Sequence, residues 1–198
     1  MDDRRERNGR WTRRGLGAFV LAAAVVTGAR ADGAADDTAL REARAAAMEL
    51  GGKLKGQLES ALKSGGPTAA MAVCQTAAPA IARESSAHYD GDVGRTALRL
   101  RNPANAPDAY ERAVLERFVA AAADGADVAT LEHAEIVDEH GRRVFRYMKA
   151  IPMQETPCAT CHGVDVAAPV RDEIRARYPA DEATGFRPGD VRGAFTVM

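Results

Sequence analysis

In the segment Cys158-Ala159-Thr160-Cys161-His162, residue type and spacing imply a definite chemistry. Two cysteines three positions apart project from one face of a helical turn. From there both thiols can add to the two vinyl groups on one edge of a haem. The histidine that follows then lies beneath the iron as its proximal ligand. The pattern reads as a c-type attachment site for one covalently bound haem c, held by Cys158 and Cys161 and ligated by His162. Other uses of the motif fit less well. A structural zinc site needs four protein ligands, so Cys74 would have to join Cys158, Cys161 and His162. A thioredoxin-like pair belongs at a helix start inside a βαβ unit, and no segment reads as one.

The chain has three cysteines, and attachment consumes two. Cys74 is left over, and an odd cysteine beside an export signal needs a reason. One reading is a small buried hydrophobe. The other is a second axial ligand, for which His88, His133, His140, Met148 and Met153 compete. His140 falls in a predicted turn. His133 alternates inward on a predicted strand. Met148 and Met153 also suit core packing.

Arg95, Arg99 and Arg101 cluster and can pair with haem propionates, or form a solvated basic stretch. Glu132, Glu135, Asp138 and Glu139 read as a charged face. No catalytic triad, phosphate loop or paired carboxylates stand out, so a binding or electron-transfer protein is expected rather than an enzyme.

These residues must be positioned by elements that the pattern predicts. Thr38 caps a helix to about Lys63, with Gly51-Gly52 weakening its middle and Gly65-Gly66 ending it. Pro67 opens a second helix to about Glu84, with Cys74 on its apolar stripe. Pro79 removes an N–H and pushes on the carbonyl of Gln75, so that helix is expected to distort beside Cys74. Residues 88–101 read as irregular or short extended structure, and 101–108 as turns. A third helix, 108–123, starts with the capping-box spacing Asp108/Glu111 and turns Tyr110, Val114, Leu115, Phe118 and Val119 inward. Residues 130–137 and 143–151 form a hairpin around Asp138-Glu139-His140-Gly141. The motif follows in a loop after Pro157, then a short helix, 170–178, and a last strand, 193–197. Helices followed by an antiparallel sheet make an α+β domain.

The chain start is basic, with an apolar run from Leu16 to Val26 and small residues at Ala29 and Ala31, the order of a signal peptide over residues 1–31. Residues 32–37 read as a flexible lead-in and 38–198 as the haem-binding domain. Thr12-Arg13-Arg14-Gly15-Leu16 hints at twin-arginine export. Covalent haem is added to an unfolded chain outside the cytoplasm, which favours general secretion. The expected location is periplasmic or otherwise exported. Residues 1–31 hold seven basic and three acidic side chains, leaving 20 basic and 25 acidic and a net charge of −5. That charge gives no electrostatic case for nucleic acid. No second apolar run is long enough to span a membrane.

The chain resembles a family of exported mono-haem domains with a PAS-like fold, found free-standing in the periplasm and as sensor modules of histidine kinases. The resemblance spans about Leu40 to Val197. It is carried by Ala72-Val73-Cys74 with Ala78-Pro79, by the run Arg101 to Asp108, and by Cys158 to Gly163. Tyr178-Pro179-Ala180-Asp181, Ala183-Thr184-Gly185-Phe186 and Gly189 to Phe195 complete it. The resemblance implies a PAS-like antiparallel sheet with N-terminal helices packed around one c-type haem. It also implies that Cys74 is the upstream axial cysteine and that Cys74 and His162 are the iron ligands. Unlike the sensor kinases, this sequence shows no membrane helix or kinase after its last strand, so the expectation is that signalling runs through a separate partner or that the protein does not signal.

Three functional classes follow. The first is a redox or gas sensor module with a signalling partner. The second is a periplasmic electron-transfer cytochrome with a redox partner. The third is a cytochrome c′-like helical bundle with an open iron site, which the predicted hairpin and last strand oppose.

Overall fold

Gly66, at φ 67° and ψ −164°, breaks the long N-terminal helical stretch where the double glycine predicts a break. Helix α1 spans Gly28–Ala72 with this kink inside it, and Pro67 restarts the helix where a missing N–H costs nothing. Residues 28–198 are described, in a computed structural model of the chain, with side chains from Asp36 onward. The expected signal peptide lies outside the described residues except for its last four positions. Residues 32–37, expected as a lead-in, fall within α1, a continuation that the alanine-rich sequence favours.

A π-helical turn, Val73–Ala77, joins α1 to helix α2, Ala78–Tyr89. The Ala78 N–H reaches back five residues to the Val73 carbonyl. Pro79 stands in the first turn of α2. The expected distortion beside Cys74 therefore takes the form of a π-bulge, and the helix continues five residues past Glu84.

Four antiparallel strands follow: β1 (Val93–Thr96), β2 (Glu132–Glu139), β3 (Arg142–Pro152) and β4 (Val191–Val197), in spatial order β1-β4-β3-β2. β2 and β3 are the expected hairpin, paired from Glu132↔Lys149 to Glu139↔Arg142. Its two turn residues, His140 and Gly141, both have positive φ, as a tight hairpin requires. Helix α3, Ala109–Ala123, begins with a complete capping box between Asp108 and Glu111.

Alternate residues of β3 face opposite sides of the sheet. On one side Tyr147, with Val93 and Val197, packs under Ala43, Ala46, Ala47 and Leu50 of α1. On the other, Met148, Ala150 and Ala194 meet Val114, Leu115 and Phe118 of α3. The domain is α+β, with helices on both faces of one antiparallel sheet. Val119, expected inward, is 44% exposed because the α3 stripe turns past it toward solvent. The motif, expected as a loop, forms a single helical turn, α4 (Ala159–His162), and helix α5 spans Ala168–Arg177. Among the described residues, no helix is long and apolar enough to cross a membrane.

Candidate cofactor site

The α4 turn forms because the Cys158 carbonyl accepts the His162 N–H at 2.9 Å and the Cys161 N–H at 3.2 Å. A distant segment closes over it. The Gly185 N–H donates to the Gly163 carbonyl at 2.8 Å, and the Phe186 N–H to the His162 carbonyl at 3.0 Å. Gly185 supplies the positive φ of 81° that this hook needs. Arg101 ties the two together. Its guanidinium donates to Asp181 Oδ1 at 2.7 Å, to the Cys161 carbonyl at 2.8 Å and to the Ala183 carbonyl at 3.2 Å.

His162 Nδ1 lies 2.6 Å from the Ala183 carbonyl oxygen and 3.3 Å from Arg192 Nε. One nitrogen cannot donate to the first and accept from the second. A carbonyl only accepts, and it is the nearer partner, so Nδ1 carries the proton. The lone pair is left on Nε2, the arrangement that suits a metal-ligating histidine. Burial holds the His162 imidazolium well below its ordinary pKa, aided by the Arg192 and Arg101 cations and opposed by the Ala183 carbonyl. The ring is neutral at pH 7. Burial also pushes the Cys161 thiol up, against the pull of Arg101.

A cavity of about 410 Å³ borders the motif. Leu54 and Leu58 of α1, Val73, Ile151 and Phe195 supply apolar wall, and Cys74, Cys158 and His162 reach it from the π-turn and from α4. Gly51 also lines it, and its missing side chain matters: a Cβ there would stand 2.8 Å from the Phe195 ring. Cys161 packs beside Met71, Val166, Val170 and Ile174. A mostly apolar slot with the Cys74 and Cys158 thiols and the His162 ring on its walls suits a haem in donor chemistry, while Cys161 lies outside the wall.

The competing ligand candidates are elsewhere. His133 pairs with Glu135 at 2.8 Å, His88 packs on the Tyr89 ring, and His140 is in the hairpin turn. Met148 is buried under α3, and Met153 lies with Ala183 and Phe186. None of the five borders the cavity. Among the described residues, no three His, Cys, Asp or Glu side chains gather as a metal-ion cluster, so the four zinc candidates do not converge.

The basic cluster is divided. Arg95 lines the cavity, Arg101 clamps the motif, and Arg99 donates to the Glu182 and Thr184 carbonyls and stacks on Phe186. The acidic residues also have partners: Glu132 takes Arg44 and the Tyr147 hydroxyl, and Glu139 takes Arg146. Sequence reasoning missed Arg192, which lines the cavity and stands over Phe186. Its only local signal is a charge next to Gly193, which does not reveal which way the side chain faces.

A helix-flanked antiparallel sheet with a C-x-x-C-H turn bordering a mostly apolar cavity defines an α+β domain with a candidate haem site. The chain belongs to the Tll0287-like family, whose sequence profile matches residues 30–198. Among solved structures, the crystal structure of the cyanobacterial heme-protein Tll0287 is similar. It shares 31% identity over 62% of this chain and 68% of that one, with a TM-score of 0.49. No curated protein matches.

Proposed function

We propose that this protein is an exported, PAS-like haem c protein that acts as a redox or gas sensor module. Cys158 and Cys161 would hold one haem, and His162 and Cys74 would ligate its iron. The observation that carries this reading is the shared cavity: of the candidates for a second ligand, Cys74 alone borders the cavity that His162 borders. The described heme-protein to which the chain is similar, and the family to which it belongs, support a haem as occupant.

Bound there, a haem supplies a one-electron iron couple and, when a ligand leaves, a site for a diatomic gas. The residues of the chain set its terms. Ala183 holds the His162 tautomer and ring. A Cys74 thiolate donates charge and favours the ferric state, so the reduction potential lies below that of a His/Met site. Cys74 stands on a π-turn, a form that recurs at functional sites because it re-aims side chains within a helix. That placement favours the sensor over the electron carrier, since a ligand on a bulge can leave on reduction without unmaking α1 or α2.

Absorption and electron paramagnetic resonance spectra of the full chain, compared with Cys74→Ala, test the assignment. The wild type is expected to show a ferric low-spin thiolate signature that the variant lacks. Identical spectra overturn the Cys74 assignment. Unchanged ligation after reduction overturns the sensor and leaves the carrier.

A further inference from the structure

The cavity wall carries more positive charge than its own acids balance. Arg95, Arg101, Arg192 and Lys55 line it, and among the described residues no aspartate or glutamate does. Two of the four have carboxylate partners just outside the wall: Arg101 has Asp181 at 2.7 Å, and Lys55 has Glu59 at 4.0 Å. The Arg95 side chain makes no hydrogen bond or ion pair with another described residue, and burial lowers its pKa against a smaller pull from Cys74 and Tyr178. Burial lowers Arg192 in the same way, and with the Arg101 and Arg95 cations brings it down to about 10. The His162 nitrogen beside its Nε is already a donor to Ala183. Among the described residues, Arg192 then has the distant Arg99 carbonyl, at 3.4 Å from Nη1, the face of Phe186 and the pull of the Asp181 charge, with which it forms no ion pair. Part-buried guanidinium groups with no ion pair of their own make this stretch of wall electropositive, and an anion that enters the cavity can accept charge-assisted hydrogen bonds from both.

We infer that Arg95 and Arg192 are the pair that binds the two carboxylates of the cofactor, the haem propionates. Arg99 and Arg101, two residues apart, instead hold the chain around the motif. This inference rests on the haem reading and adds which residues recognise the anionic edge. It corrects the sequence-based grouping of Arg95, Arg99 and Arg101, since one member of that trio faces the cavity unpaired and its counterpart comes from β4.

The test uses the full chain with Cys158→Ala and Cys161→Ala, so that haemin binds reversibly, and compares haemin with haemin dimethyl ester. The ester is expected to bind roughly tenfold to a hundredfold more weakly, the worth of one or two charge-assisted hydrogen bonds. Arg95→Gln and Arg192→Gln are each expected to weaken haemin toward the ester value and leave the ester unchanged. Arg95→Lys should recover part of the loss. Equal binding of acid and ester, with arginine variants that match the parent, overturns the inference and leaves the haem reading intact. Failure of both to bind to a chain that circular dichroism shows to be folded removes the haem reading and this inference with it. A second measurement covers the case in which the double-alanine chain does not fold. Resonance Raman propionate bending bands of the covalently loaded protein are expected to shift in Arg95→Gln and Arg192→Gln and not in Arg99→Gln. Unshifted bands in both overturn the assignment.

Discussion

The Nδ1 of His162 lies 2.6 Å from the carbonyl oxygen of Ala183, 21 residues further along the chain. The motif thus does not orient its own histidine. A segment from beyond α5 does, and that segment is in turn held by Arg101, which donates to both Ala183 and Asp181. Asp181 also accepts the Ala183 N–H at 3.3 Å. The ring that would ligate iron therefore depends on a buried ion pair.

Asp181→Asn tests that dependence. The side chains of Arg101 and Asp181 are 9% and 7% exposed, so removing one charge leaves the other nearly buried and unpaired. Breaking such a pair costs about 3–5 kcal/mol. Urea unfolding is expected to show a lowered midpoint with little change in slope. An Arg101→Met, Asp181→Leu double variant should recover much of the loss, because neither charge is then left alone. A double variant no more stable than Asp181→Asn would show that the pair matters for its hydrogen bonds to Cys161 and Ala183 rather than for its charge balance.

Local rules account for much of what the sequence made legible. Asp108 and Glu111 announce the α3 capping box because both partners lie within four residues. His140-Gly141 announces the hairpin because its turn needs two residues at positive φ. Cys158 to His162 announce the motif because its spacing is its function. Arg192, Asp181 and Ala183 stayed silent for the opposite reason. Their roles arise when β4 and the segment before it fold against α4, and no local pattern encodes which side of β4 meets that turn. Gly51 was legible as a weak point of α1, whereas its purpose, room for the Phe195 ring, appears only once helix and sheet are packed.

Acid should unfold the protein partly through Asp108. Burial pushes this carboxyl up, but the Glu111 N–H at 2.7 Å and Arg146 at 2.6 Å outweigh it and hold the pKa below its ordinary 3.8. The folded carboxylate therefore contributes stability that is fully present above that value and is lost as pH falls through the lower folded pKa. Asp108→Asn keeps a good helix cap and removes the charge. In denaturant titrations between about pH 6 and pH 2, the variant is expected to lose stability less steeply below pH 4 than the wild type. Equal slopes would show that Asp108 serves as a cap alone.

Tyr110 makes the alkaline counterpart. Its hydroxyl is buried without a hydrogen-bond partner among the described residues, while the Arg146 guanidinium sits 4.6 Å from the ring centre. Burial, then the Glu135 charge, pushes its pKa up to about 12, against the pull of Arg146 and Arg117. The unfolded chain releases that proton near pH 10, and the folded protein keeps it until about 12. Stability from this group is thus whole below pH 10 and drains away as pH rises through the window. Tyr110→Phe keeps the ring under Arg146 and deletes the orphan hydroxyl, so at pH 7 stability should be unchanged or raised by about 1 kcal/mol. Between pH 10 and 12 the variant should lose less stability than the wild type. Tyr147 and Tyr178, also pushed up chiefly by burial, remain to give both proteins a residual slope. A variant that is less stable at pH 7, or that declines as steeply above pH 10, would mean that the hydroxyl has a partner in solution and that burial is not what holds its proton.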